Sequence, residues 1–205
     1  MNWADLARTV RGLFGKLPSG LEPFEQDLGT ELVNGLVLPF HRCFPLRALP
    51  DGRKPQITSR HALNNPERPT HRGVDLFYRY LPSDPPMRTG DGGRTSRWWI
   101  PDRTWAVAPA DGLVELAGNS KTGHRVWIRH AGGLATGGFH MTGLAVKAGD
   151  AVKMGDAIGV VGDNPADHDA RHLHWEVYTG ALAKYPRGTL DPERWLRGAM
   201  VLGAD

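Results

Sequence analysis

The sequence predicts a mainly β protein, an antiparallel sandwich or sheet core with a short N-terminal helix and a helical turn near the C-terminus. Three observations predict it. From residue 57 onward helical periodicity nearly vanishes, and short runs rich in β-branched and aromatic residues recur: ITS, GVDLFY, WAVAP, GLVEL, HRVWIRH, GLAV, AIGVV and HLHWEVY. Gly, Asp and Asn separate these runs as turn signals, and Gly supplies the positive φ that tight hairpins need. A helical pattern is confined to the two ends of the chain.

At the N-terminus, Trp3, Leu6, Val10, Leu13, Phe14 and Leu17 follow steps of three and four, which place them on one face of an amphipathic helix. Two uses fit that helix: packing on the main domain, or docking to a partner or membrane surface through Arg8, Arg11 and Lys16. Asp5, Arg8 and Arg11 break what would be the apolar stretch of a signal peptide, so the segment does not read as a secretory signal. Residues 18–56 are rich in Pro and Gly and read as short strands and loops. Ala110-Asp111-Gly112 reads as a turn, and VKAGDAVKMGDAIGVVG as a compact meander with two Gly-Asp turns. Residues 81–104 are dense in Pro and Gly and read as a long irregular loop, a length usually tied to function or disorder. Two uses fit its Trp98 and Trp99: lining a substrate groove or anchoring the loop to the sheet. In DPERWLRGAMVL, Asp191 suits a helix N-cap and Pro192 the first helical position.

Composition narrows the chemistry. Cys43 is the only cysteine of the 205 residues, which excludes an internal disulfide and the cysteine-rich zinc sites. Any metal must be held by His and carboxylate. The formal charge of +3 is a mild basic bias that favours anionic polymers in general. No block of like charge marks a nucleic-acid tail, so no nucleic-acid partner is expected. No stretch approaches the roughly 20 apolar residues of a membrane span.

Two motifs carry chemistry. In His71-Arg72-Gly73-Val74-Asp75, an extended strand would turn His71, Gly73 and Asp75 to one side, with Gly73 leaving room for an ion. In His172-Leu173-His174-Trp175-Glu176, two imidazoles share a strand face while Leu173 and Trp175 face the other way. Zinc held by three protein ligands with an open fourth position is the catalytic arrangement. It lowers the pKa of the water it binds from about 15.7 towards 7 and polarises a carbonyl oxygen.

These residues resemble the M23 (lysostaphin-like, LytM-type) metallopeptidases, which cut the peptide part of bacterial peptidoglycan. The resemblance spans roughly residues 56–180: ITSRHALNNPERPTHRGVDL, APADGLVELAGNSKTGHRVWIRHAGG, GGFHMTGLAVKAGDAVKMGDAIGVVGD and ARHLHWEVY are similar, in order, to the family's blocks. It implies a LytM-type fold in a domain at 51–205, with residues 1–50 as an N-terminal helix and linker region that packs or docks a partner. It implies Zn2+ as cofactor, with His71, Asp75 and His174 as ligands. His140 and His172 would be general base and oxyanion stabiliser, in either order, and the substrate a peptidoglycan peptide. Where the family usually has Tyr two positions before the middle His, this chain has Gly138; the usual Leu after it is Met141; and the segment after Asp75 is longer. In some members an upstream Asn keeps the enzyme latent, and nothing marks Asn34, Asn64 or Asn65 for that role. His130 reads as structural or as support behind a ligand, and Glu176 as support for a loop. His41, His61, His124 and His168 read as surface or loop residues.

Two other readings compete. A LytM-type domain can bind and activate other wall hydrolases without catalysis, a case in which ligands are lost; here the set is complete. A biotinyl or lipoyl carrier would explain VKAGDAVKMGDAIG and Lys153 but leaves the histidines unused. The site of action implied is the cell wall, outside the cytoplasmic membrane, reached on a phage or tail-like particle or by a non-classical export route.

Overall fold

The computed structural model describes residues 32–33, 36–37, 41–86, 97–163, 171–179, 182, 185 and 188–204. The helix expected over residues 3–17 lies outside them. β1 (Leu32–Val33) and β2 (Leu36–Val37) form a small antiparallel pair. Among the described residues, eleven further strands make one sheet. They are β3 (Gln56–Ser59), β4 (Val74–Arg79), β5 (Trp98–Trp99), β6 (Trp105–Val107), β7 (Gly112–Ser120), β8 (Gly123–Arg129), β9 (Leu134–Leu144), β10 (Ala151–Val152), β11 (Ala157–Val161), β12 (Leu173–Thr179) and β13 (Thr189–Leu190). The main path runs β10-β7-β8-β9-β12-β4-β3, with β11 joining β9 to β6, β13 on β12, and β5 on β4. All these strand pairings are antiparallel. The mainly β class with an antiparallel sheet core, expected from the sequence, is the one observed.

Period-two alternation assigns the two faces. Leu173, Trp175 and Val177 of β12 point into the main core with Val74 and Leu76 of β4, Val126 and Ile128 of β8, and Trp195. Cys43 and Leu46 are fully buried and bridge to Met200 and Ala106, so residues 43 and 46 already belong to this packed body. The opposite face of β12 carries His174, Glu176 and Tyr178. There a smaller cluster of Trp127, Ala135, Phe139 and Tyr178 gives the site an apolar floor. Gly137 permits that floor, since a Cβ on it would lie 2.9 Å from the Trp127 ring.

Several local expectations hold. Asp191 accepts a hydrogen bond from the Glu193 N–H at 3.0 Å and starts helix α1 (Pro192–Leu196), with Pro192 in its first turn. Trp98 and Trp99 form β5 against Tyr78 and Arg79 of β4, which is the anchoring alternative for the long segment. The KAGDAVKMGD stretch departs from a meander. β10 pairs with β7 while β11 pairs with β6 and β9, so the two strands part rather than face one another. Its repeat is turn chemistry: the carboxylates of Asp150 and Asp156 accept from the backbone N–H of Lys147 and Lys153, at 2.9 and 2.8 Å.

Candidate metal centre

β4 and β12 set the centre directly. In their register His174 stands opposite Asp75, and on the other side of β12 it stands opposite Phe139 of β9. Opposed residues of neighbouring strands bring their Cβ atoms to about 5 Å, which is close enough to share a ligand. His71 arrives differently from the strand expected at 71–75. β4 begins only at Val74, and His71 sits in the irregular segment before it, its N–H bonded to the Arg68 carbonyl. Gly73 matters through its neighbours on β12: a Cβ there would run into the Trp175 carbonyl oxygen and lie 2.8 Å from the His174 imidazole.

The three groups converge. His71 Nε2 lies 3.0 Å from Asp75 Oδ1 and 3.1 Å from His174 Nδ1, and His174 Nδ1 lies 2.9 Å from the same Oδ1. Ligands at 2.0–2.1 Å around a tetrahedral zinc stand about 3.3 Å apart, so the triangle needs only slight expansion to accept the ion. The outer hydrogen bonds explain why a cation is wanted. His71 Nδ1 donates to the Arg60 carbonyl at 2.7 Å, and His174 Nε2 donates to Glu176 Oε1 at 3.1 Å. Each neutral imidazole has one N–H, so those bonds leave the inner nitrogens as bare lone pairs. Three acceptors then face one another, a repulsive arrangement unless positive charge lies between them.

Charge balance points the same way. Asp75 and Glu176 are both buried. Glu176 Oε1 is shared by His174 and Tyr185, whose hydroxyl donates at 3.1 Å, while Oε2 is buried with no partner among the described residues. Arg68 Nη1, 2.8 Å from Asp75 Oδ2, offsets one of these charges, whereas Glu176 has no Arg or Lys against it among the described residues, and an uncompensated buried carboxylate is costly. Burial pushes the Asp75 carboxyl up, but the His172, His174 and His71 rings hold it well below the ordinary carboxylate range. Burial would lower His174, yet the Asp75 and Glu176 carboxylates outweigh it and lift it to about 9, so without an ion a proton takes the inner position that a cation would otherwise hold. The donor set and the triangle fit a divalent cation.

His172 and His140 flank the trio. His172 stacks on Phe77 with ring centroids 5.3 Å apart, and its Nε2 is 3.5 Å from Asp75 Oδ1. His140 comes from the point where β9 changes partners: Phe139 still pairs with β12, Met141 already with β11. The residue at that switch has φ of 63°, an uncommon left-handed value for a side chain other than Gly, and the turn aims its ring at His172, 4.7 Å away. His140 Nδ1 donates to the Thr122 carbonyl at 2.8 Å, which leaves Nε2 as an acceptor. Burial first, then the neighbouring His172, depress its pKa to about 3. A cavity of about 220 Å³ contains all five residues in its wall, together with Arg68, Thr122, Phe139, Glu176 and Tyr185. Neither Trp98 nor Trp99 lines it.

The five residues singled out in the sequence are thus brought together. Three contributors were missed: Arg68, which donates from Nη1 to Asp75 Oδ2 at 2.8 Å; Glu176, which holds His174; and Tyr185, which holds Glu176. Glu176 was within reach of strand parity, since it alternates with His174 on one face. Arg68 and Tyr185 reach the centre from irregular segments and left no such signal. His130 is far from this group in role. Its Nδ1 donates to the Asp111 carbonyl and its Nε2 accepts from Thr136, both at 2.8 Å. His61, expected at the surface or in a loop, lies in a loop, but is buried and caps a short 3-10 turn by accepting from the Leu63 N–H.

Residues 98–186 match the model of Peptidase family M23. The match contains His140, His172 and His174 and begins beyond His71 and Asp75. No curated protein matches the sequence. Among solved structures, the catalytic domain of the antimicrobial peptidase lysostaphin from Staphylococcus simulans is similar, with 22% identity, 72% of this chain and 94% of that chain covered, and a TM-score of 0.50. A chain of the SpoIIQ–SpoIIIAH pore-forming complex is similar at 18% identity, with 76% and 90% covered and a TM-score of 0.53. Residues 98–186 are thus similar to peptidase family M23, and at these identities the likeness to these structures shows the fold.

Proposed function

We propose that this protein is a zinc-dependent endopeptidase that hydrolyses peptide cross-links or stem peptides of bacterial peptidoglycan. The observation that carries the reading is the convergence of His71 Nε2, Asp75 Oδ1 and His174 Nδ1 within 3.1 Å, with both imidazole protons turned outward. These three atoms would hold the ion. Bound there, zinc supplies Lewis acidity towards a carbonyl oxygen and towards water. The remaining roles belong to the chain. One of His140 and His172 takes the proton as the nucleophile forms and returns it to the departing amine, and the other donates an N–H to the oxygen on which negative charge develops; His140 presents Nε2 for either role because Nδ1 is committed to Thr122. Phe139 and the aromatic floor keep bulk water from one side of the cavity. The place of action is the cell wall.

The second reading is a wall-binding activator without catalysis, favoured by the likeness to a chain from a pore-forming complex. Incubating the zinc-loaded full chain with purified sacculi and identifying released peptides by mass spectrometry separates the two. Release that stops on chelation and returns with zinc supports the hydrolase. Stoichiometric zinc without any release, or release that survives chelation, overturns it.

A further inference from the structure

We propose that Arg68 and Arg72 form a carboxylate-binding subsite beside the metal centre, so that the substrate is a peptide carrying a free carboxylate next to the bond that is cut. This rests on the hydrolase reading for its substrate, though its binding claim can be tested apart. A notch of about 210 Å³ is walled by Arg68, Thr70, His71, Arg72, His174 and Glu176. It shares His71 and His174 with the metal trio, so whatever fills it abuts the reacting position.

The notch is cationic at its mouth. Arg68 spends Nη1 on Asp75 Oδ2 and Ser59 Oγ, at 2.8 and 3.0 Å. Its Nε and Nη2 groups meet no acceptor among the described residues, and its side chain is 45% exposed. Arg72 is exposed, with Cζ 5.9 Å from the Tyr185 ring centroid, and no carboxylate pairs with it among the described residues. The one acidic residue in the wall does not neutralise this mouth. Glu176 gives Oε1 to His174 and Tyr185, and its Oε2 is sealed from solvent. Guanidinium forks match a carboxylate in shape and charge, whereas an amide in its place leaves them facing another donor. Thr70 adds a hydroxyl that can donate to the same oxygens. The Tyr185 ring beneath Arg72 limits where that fork can swing.

The test uses the zinc-loaded full chain and two D-alanyl–diaminopimelate cross-linked peptides that differ only in one group, a free or an amidated carboxylate beside the cross-link. Binding is measured by calorimetry and turnover by chromatography. The free-carboxylate peptide is expected to bind about tenfold more tightly than the amide. Arg72→Gln should collapse that ratio towards one, and Arg72→Lys should restore part of it, with zinc content and melting temperature recorded for each variant. Equal binding of the two peptides, or no binding of either, overturns the subsite. So does a preference that survives Arg72→Gln, since Arg72 would then have no part in it. Cleavage without preference leaves the hydrolase reading and removes the subsite; selective binding without cleavage does the reverse.

Discussion

His130 and His174 are both enclosed by the same sheet, and they meet opposite conditions. Around His130 every polar atom has a neutral partner: a backbone carbonyl takes the Nδ1 proton and the Thr136 hydroxyl satisfies Nε2. Nothing is left for an ion, and burial drives its pKa down to about 4. Around His174 the outer nitrogen is also satisfied, but the inner one faces another imidazole nitrogen and a carboxylate oxygen. Burial of a histidine therefore does not make a site. Convergence of several lone pairs on one point, with their protons turned outward, does.

The largest effect should follow from removing a converging atom. His71→Ala or Asp75→Ala should lower zinc from about one equivalent to none by elemental analysis and reduce peptide release to background, while the circular dichroism of the sheet persists. Full zinc occupancy in either variant would place the ion elsewhere. Next in size come the flanking rings. His140→Ala and His172→Ala should keep zinc yet lose about 10²- to 10⁴-fold in kcat, the range of a lost general acid or base. Loss of zinc with His172→Ala would make it a ligand instead. A smaller effect belongs to the support behind His174: Glu176→Gln should weaken zinc binding about 10- to 100-fold in a chelator competition, with turnover recovered at saturating zinc.

The His130 side of the comparison gives the mildest change. His130→Gln should leave zinc content and saturated turnover unaltered and reduce stability. A folded-state pKa below the unfolded value of about 6.5 means that the unfolded chain binds the proton first, so stability is fully present above that pH and declines as pH falls towards about 4. The ceiling is about 3 kcal/mol. Denaturant melts of both proteins between pH 7.5 and 4.5 should show the gap narrowing as pH falls; a constant gap would break the assignment.

The sequence makes the β architecture legible because strands such as AIGVV and HLHWEVY carry both composition and bounding turns. It makes four of the five central residues legible because parity and adjacency place them within two short motifs. His140 is legible only through family resemblance, since its aim depends on a left-handed residue at the point where β9 changes partners, and no local pattern encodes that. The first motif misleads about its own geometry: His71 precedes the strand, and it meets Asp75 through a turn rather than across a pleat. Arg68 and Tyr185 depend on irregular segments folding back over the sheet, a long-range outcome that periodicity does not register.

Zinc K-edge absorption spectroscopy of the zinc-loaded full chain tests the central claim most directly. His71, Asp75 and His174 as the protein ligands require two imidazoles in the metal's first coordination sphere, the rest being oxygen. Three or more imidazoles would bring His140 or His172 onto the metal and contradict the division between ligands and flanking groups.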